Sequence, residues 1–533
     1  MASTNARHEH IPSNAPPFFS RVFLPLIYLE KGLLMTARLF SQPLSLALLL
    51  PLLLYVSVAN GEAVSVKALT PHPVATQWPD RIIATPTVSP ADSFSVTWRT
   101  DNSVNRAYGQ IVQAQPDARY DTNAAQFVAK THSAALANGI GDSGHFRYPA
   151  NDGLPNVHYH SLTFKDLHAD TYYNYRVAGA TGMWSPWQQI KTAPVDTHQD
   201  FSFLYFGDAQ NGIYSHWPLV LRRAWQHAPN AKFAIYAGDL VNEGASDQQW
   251  SNWLNAGQFI HRTLPAVLVA GNHEYDWQVQ ENAQKSWALS TLWQSQFTLP
   301  LTPSLPSALQ ETAYVTHYPE MDVFVLDSEA RGDINLLQAQ AHWLDQALQT
   351  STAKWRIVTM HHPIFSSCGM PLNTPGQDEP EIRAAFLPIM LKHKVDLVLQ
   401  GHDHAYARGS IGIQSDIHKM ATPSSTKQVK IVFVTSVAGP KTYPIKSTRW
   451  DEYGDYDVTL ERIGENTPTY QIIKKTQDNL IYQSFTSDGQ IYDEFTLRKD
   501  NQGNKTLSVA KELPPQRTFK NTGLYKTHHD LAE

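Results

Sequence analysis

From residue 201 onward, short apolar segments alternate with helical patterns, the signature of a layered α/β domain. Strands are predicted over 201–206, 233–237, 266–270, 323–326, 356–360, 395–399 and 431–435, with helices such as 336–349 and 379–393 between them. Five of these strands run directly into a short polar motif: Gly207-Asp208-Ala209-Gln210, Gly238-Asp239-Leu240-Val241-Asn242, Gly271-Asn272-His273-Glu274, Met360-His361-His362-Pro363 and Gly401-His402-Asp403-His404. In an open α/β sheet the carboxyl ends of strands converge on one crevice, so residues far apart in the chain meet there.

Taken alone, a Gly-Asp is ordinarily a turn, and His361-His362-Pro363 reads equally well as a packed histidine ahead of a turn. His402-Asp403-His404 at a strand end is more informative, because alternation places both imidazoles on one side and Asp403 on the other. In series, the motifs supply the oxygen and imidazole donors that suit zinc, manganese, iron or similar ions. Glycine beside the ligands lets the backbone turn sharply and approach an ion or a phosphate. Cys368 is the one cysteine among 533 residues, which excludes a thiolate cage and an intrachain disulfide framework. A formal net charge of −6 without a long basic run argues against a general nucleic-acid or anionic-membrane binder and for small-molecule chemistry.

Upstream, from about 80 to 192, runs such as Ser93-Phe94-Ser95-Val96-Thr97-Trp98 and Tyr172-Tyr173-Asn174-Tyr175-Arg176-Val177 read as strands of a small sandwich. Trp98 and a Leu167-x4-Tyr172-x-Asn174-Tyr175 stretch similar to a tyrosine corner resemble fibronectin type III modules. Residues 194–200 read as a linker, and the strand-like text beyond Ser447 as the closing part of the α/β domain. Near the N-terminus an apolar run over 44–58, preceded by Lys31 and Arg38 and containing Pro51, ends in Ser57-Val58-Ala59, which reads as a signal peptide. It is short for a membrane span, although an uncleaved anchor is the alternative. Met35 precedes this unit, so Met1 and Met35 are both candidate starts. The expected organisation is an extension and signal peptide over 1–63, a fibronectin-like domain over 75–195, a metal-bearing domain over 200–500 and a tail over 501–533. The expected location is a periplasm or outside the cell, or the membrane surface if the signal stays attached.

In order and wording the motifs resemble the calcineurin-like metallophosphoesterases and, more closely, the purple acid phosphatases. The resemblance covers roughly 201–443, including Ala405-Tyr406-Ala407-Arg408 and Val434-Thr435-Ser436-Val437-Ala438-Gly439-Pro440-Lys441. It implies a four-layer metallophosphoesterase sandwich, two β-sheets flanked by helices, preceded by a fibronectin type III-like β-sandwich. It further implies that Asp208 and His404 bind a first metal, that Asn272, His361 and His402 bind a second, and that Asp239 bridges them. His273 would face the substrate as proton donor. His362 and Tyr406 are candidate pocket residues that could instead pack or hydrogen-bond behind the ligands. Three departures stand out. Asn242 occupies the position of the family's iron-binding, colour-giving tyrosine, so no purple chromophore is expected. Gln210 replaces a superfamily histidine; its amide oxygen, Asn242 or water would complete the first metal's shell. The histidine pair of plant-type members is missing from Ile364-Phe365-Ser366-Ser367-Cys368-Gly369, which leaves substrate preference open.

The expected activity is hydrolysis of phosphate monoesters by a metal-bound hydroxide at a centre of two divalent or mixed-valence ions (Fe, Zn or Mn), with His273 protonating the leaving alkoxide. The alternatives are a phosphodiesterase or nucleotide hydrolase using the same site, and a noncatalytic metal-binding envelope protein. The expected partner is a phosphate ester rather than a nucleic-acid scaffold, and a homo-oligomer is left open.

Overall fold

A computed structural model describes residues 73–136, 151, 153–279, 285–374, 376–412 and 426–522. The signal-like run over 44–58 and Met35 lie outside the described residues. Strands β1 (Asp80–Pro86), β2 (Phe94–Asp101), β3 (Tyr108–Gln113), β4 (Ala125–Val128), β5 (Lys130–Ala134), β6 (Val157–Phe164), β7 (Tyr172–Ala178) and β8 (Gln188–Lys191) form two antiparallel sheets, ordered β1-β2-β6-β5 and β4-β3-β7-β8. Alternate residues fill the space between them, among them Phe94, Val96 and Trp98 from β2 and Tyr173, Tyr175 and Val177 from β7. The indole N–H of Trp98 donates to the Ala178 carbonyl (3.0 Å). The Tyr173 hydroxyl accepts from the His168 N–H (2.9 Å), so the corner tyrosine is Tyr173, the residue that the sequence pattern left open, and not the exposed Tyr172.

The α/β domain begins with β9 (Phe201–Phe206), β10 (Ala234–Tyr236) and β11 (Ala266–Leu268), three parallel strands. After them come a separate hairpin, β12 (Tyr275–Val279) with β13 (Lys285–Leu289), and then β14 (Tyr314–Tyr318), β15 (Met321–Val325), β16 (Trp355–Thr359), β17 (Leu397–Gln400), β18 (Tyr406–Gly412) and β19 (Thr426–Thr435). In this second group β15, β16, β17 and β19 are parallel, each to the next. Closing the chain are β20 (Val458–Gly464), β21 (Thr469–Lys475), β22 (Asn479–Thr486), β23 (Ile491–Lys499) and β24 (Lys505–Val509). The expected pair of sheets is present as two arms of one hydrogen-bonded network of 14 strands, because β21 pairs with β9 and β24 pairs with β19. The arms face each other across the core, where the Tyr205 hydroxyl of β9 bonds the backbone of Gln400 on β17. Helix α1 (Trp217–His227) buries Trp217, Val220, Leu221 and Ala224 on the first arm's side. Helices Ile334–Thr350 and Pro380–Lys392 bury Leu344, Leu348, Phe386 and Met390 with the second arm. Among the described residues no helix is long and apolar enough to cross a membrane.

One boundary needs correction. The expected tail from 501 contributes β24, with Leu507 fully buried, so residues 505–509 are integral to the sheet. Leu507 and Val509 alternate with Thr506 and Ser508, a short period-two pattern that the polar flanks disguise.

The two domains share material. On β1, Ile82 and Ala84 belong to the sandwich core whereas Ile83, on the opposite face, belongs to the core of the α/β domain. Beside it lies a buried ionic cluster: Arg81 holds both Asp247 oxygens (2.7 and 2.8 Å), and Arg99 joins Asp247 (3.1 Å) to Asp80 (2.7 Å). Asp247 opens helix α2 (Asp247–Gly257), where the free N–H groups of the first turn also favour a negative charge. The Asp247, Arg81 and Arg99 side chains are each 2% exposed, so removing the carboxylate takes from Arg81 its buried counter-charge and leaves Arg99 with Asp80. Asp247→Asn is expected to lower unfolding free energy by about 3–5 kcal/mol in urea titrations. Asp121→Asn, at the exposed pair with Arg119, is expected to leave the midpoint unchanged.

Candidate metal centre

Asp208 follows β9, Asp239 follows β10 and Asn272 lies just past β11, while His361 lies just past β16 and His402 and His404 follow β17. All six sit at the carboxyl ends of parallel strands, three on each arm. Asp239, His402 and His404 have left-handed backbones, with φ of +51°, +74° and +48°. Non-glycine residues seldom adopt that region, and such strain persists only where surrounding contacts hold it. Strand alternation is therefore not what aligns His402 and His404: residues 402–405 form a bend, and two left-handed residues turn the imidazoles. Asp403 points away, accepting from the Ser366 hydroxyl (3.1 Å) and from the Ser367 hydroxyl (2.9 Å) and N–H (2.5 Å).

Glu274, fully buried, holds the first arm's loops. Its carboxylate accepts from the N–H groups of Asp239 (2.9 Å), Leu240 (2.9 Å), Val241 (3.3 Å) and Gly271 (2.8 Å). Burial, then the charge of Asp239, pushes it up to about 8 despite those donors. Packing here is too close for side chains: a Cβ on Gly271 would lie 2.3 Å from Asp239 Oδ1, and one on Gly401 would lie 2.4 Å from Asp208 Oδ1.

The ligand atoms fall into two groups that share Asp239: Asp239, His361 and His402, and Asp208, Asp239 and His404, with the donor atoms of each group within 4.8 Å of one another. In the first of these, His361 Nδ1–H donates to the Ala237 carbonyl (2.9 Å) and His402 Nε2–H to the Gly376 carbonyl (2.7 Å). A carbonyl can only accept, so in the neutral rings the inner nitrogens carry lone pairs. Those nitrogens lie 3.3 Å apart, each 3.1 Å from Asn272 Oδ1, and His361 Nε2 is also 3.3 Å from Asp239 Oδ1. Four electron-pair donors converge on one point, an arrangement that fits a cation.

In the other group, His404 Nδ1–H donates to the Lys441 carbonyl (2.9 Å), leaving Nε2 to face Asp208 Oδ2 at 3.2 Å. That Asp208 oxygen is buried without a hydrogen bond. Electrostatics report the same demand for positive charge. Burial pushes Asp208 up to about 7 against the pull of His361. It also opposes a charge on His361, yet Asp239 and Asp208 push that imidazole up to about 10. Burial and His361 push His402 down to about 3, and burial and Lys441 hold His404 well below its usual range, which keeps both rings available as ligands.

His273 lies at the rim, its side chain 18% exposed, with Nδ1–H donating to the Asn242 carbonyl (2.7 Å) and Nε2 3.9 Å from Asp239 Oδ2. Asn242 thus meets the site through its backbone. Gln210 enters the group of Asp208 and His404, but amide nitrogen first: Nε2 sits 2.6 Å from Asp239 Oδ2 and 3.0 Å from His404 Nε2, while Oε1 faces Lys441 Nζ at 3.4 Å. An oxygen ligand from Gln210 requires the amide to turn over. His362 and Tyr406 do not line an open pocket, because both are fully buried. His362 bonds the Ser328 hydroxyl (2.8 Å) with its ring 4.2 Å from that of His402, and the Tyr406 hydroxyl donates to Asp493 (2.7 Å). Glu274 and the Gly376 carbonyl had no role in the sequence reading. An acid two residues after Asn272, within the same motif, is the signal that points to Glu274. Gly271→Ala is expected to displace Asp239 and lower metal content by at least about tenfold, read by elemental analysis, with the far-ultraviolet dichroism retained.

Known proteins resemble this chain over both domains. Residues 196–406 match the family model of the calcineurin-like phosphoesterases, and residues 79–192 match that of the purple acid phosphatase N-terminal domain. A probable inactive purple acid phosphatase of Arabidopsis thaliana is 24% identical over 443 residues, covering 77% of this chain and 67% of that protein. An Fe(3+)-Zn(2+) purple acid phosphatase of the same plant is 23% identical over 283 residues, covering 47% of this chain and 52% of its own length. The structure of a purple acid phosphatase from yellow lupin (Lupinus luteus) seeds superimposes with a TM-score of 0.61 at 19% identity, over 80% of this chain and 75% of that one. The chain therefore carries a calcineurin-like phosphoesterase domain over 196–406 behind a purple acid phosphatase N-terminal domain over 79–192, in a purple acid phosphatase-like fold.

Proposed function

We propose that the chain is an exported, metal-dependent phosphoesterase that hydrolyses phosphate monoesters at a centre of two metal ions. The observation that carries this reading is the doubled donor set with Asp239 common to both groups. Asp208 and His404 would hold one ion, Asn272, His361 and His402 the other, and Asp239 both. When bound, such ions neutralise phosphate oxygens and lower the pKa of water toward neutrality.

The chain's own residues supply orientation and a proton. Carbonyl groups of Ala237, Gly376 and Lys441 fix the ligand imidazoles from behind, so little reorganisation is left for the reaction. Because His273 Nδ1 is committed to the Asn242 carbonyl, Nε2 is the atom available to protonate a leaving alkoxide. Export rests on the signal-like run over 44–58, and a mature N-terminus near Asn60 in protein recovered outside the cytoplasm checks it.

Gln210 favours a second reading. Its amide nitrogen lies between Asp239 Oδ2 and His404 Nε2, and a chain that kept it there would hold one ion without turnover, as a binding protein. Elemental analysis with aryl phosphate hydrolysis separates the two. The enzyme is expected to carry about two ions and to lose activity to chelators, and His273→Ala to keep its metal while turnover falls by about 10²–10⁴-fold. Asp239→Asn is expected to lose both metal and activity. One ion per chain and no hydrolysis of either monoester or diester would leave the binding reading.

A further inference from the structure

The loop that follows β19 grips the site from the second arm. Ala438 and Gly439 donate their N–H groups to the Asp208 carbonyl (3.0 and 2.7 Å), and the Tyr443 N–H donates to the His404 carbonyl (3.0 Å). The Lys441 carbonyl accepts from His404 Nδ1 (2.9 Å), and the Tyr443 ring lies 4.7 Å from that of His404. This backbone is fixed by two of the three donors of one group, Asp208 and His404, so the position of Lys441 is fixed with it. The Lys441 side chain is half-buried, with Nζ 3.4 Å from Gln210 Oε1 and 5.5 Å from the centre of the Tyr443 ring. Its charge acts on His404 and on His273, so the ammonium lies within electrostatic reach of both a ligand and the rim imidazole. Arg331 is the cation on the other flank, near His402, but Glu329 and Glu379 already engage it.

We propose that Lys441 contacts the non-bridging oxygens of the phosphate head and sets the preference for monoester dianions over diester monoanions; this rests on the phosphoesterase reading above. A monoester head carries one more negative charge than a diester, so a fixed cation at the mouth attracts it about twice as strongly. Asn242 and the Ile364-Phe365-Ser366-Ser367-Cys368-Gly369 segment carry no charge, whereas the loop after β19 places the Lys441 ammonium 3.4 Å from Gln210 Oε1. The hydrogen bond to His404 comes from the Lys441 carbonyl, so substitutions of the side chain leave that contact in place.

The test compares metal-loaded full-length protein with its Lys441→Met and Lys441→Arg variants. The readouts are kcat/KM for an aryl phosphate monoester and the matching diester, calorimetric titration with inorganic phosphate, and metal content. For Lys441→Met, monoester kcat/KM and phosphate affinity are expected to fall by about tenfold or more, with diester kcat/KM changing less than about threefold, as for the loss of a charge-assisted contact. Lys441→Arg is expected to recover most of both, and metal content to stay constant in all three proteins. Equal losses on the two esters, or unchanged phosphate affinity in Lys441→Met, overturn the proposal. If the wild-type protein hydrolyses neither ester, the phosphoesterase reading fails, while the phosphate titration still decides the role of Lys441.

Discussion

The buried carboxylate of Glu274 gathers the N–H groups of Asp239, Leu240, Val241 and Gly271, and the first arm's half of the site depends on that convergence. Strands β10 and β11 are each three residues long, so the chain leaves the sheet early and its amides lose their partners while still buried. Each buried amide without an acceptor costs about 1–3 kcal/mol. Glu274 replaces the missing strand. In doing so it holds Asp239 in its left-handed conformation and brings Gly271 against the Asp239 side chain. Asp239 could not otherwise turn its two oxygens toward different partners, His361 on one side and Gln210 on the other.

How far the sequence announces this depends on the range of the interaction. Strand β9 coincides with the apolar run 201–206, and the order of the ligand motifs was legible because glycine, strand end and donor lie within a few residues. The run over 266–270 overshoots β11 by two residues, since Val269 and Ala270 are fully buried yet already belong to the ligand-bearing turn. Burial reads as strand, whichever element is buried. His362 shows the opposite failure. Its neighbour His361 faces the other donors, and contacts distant in the chain, among them the Ser328 hydroxyl 34 positions away, hold His362 inward. Lys441 was visible as a residue but not as part of the site, because its place is set by contacts to Asp208 and His404, which nothing local encodes.

The sandwich is more than an appended module. Strand β1 buries Ile83 in one core and Ile82 and Ala84 in another, and Arg81 and Arg99 clamp Asp247 at the start of α2. That helix begins just after the Asp239 loop, whose Gly244 N–H bonds the His273 carbonyl (2.8 Å). A β layer is thus bonded to the segment that carries the carboxylate common to both donor groups and the rim histidine, the support that a site built on loops requires.

Strands β21 to β24 join the two arms, and the consequence is one of timing. Asp208, Asp239 and Asn272 belong to the arm that ends in β9, whereas His361, His402 and His404 belong to the arm that includes β17 and β19. The hydrogen-bonded bridge between those arms is completed only by β24, which ends at Val509. A growing chain folds its N-terminal parts first, so every ligand has left the ribosome well before the strand that unites the two halves. Any metal capture by the full donor set would therefore come late in biogenesis, and a chain cut short before residue 505 would carry all six donors without the frame that makes them one site.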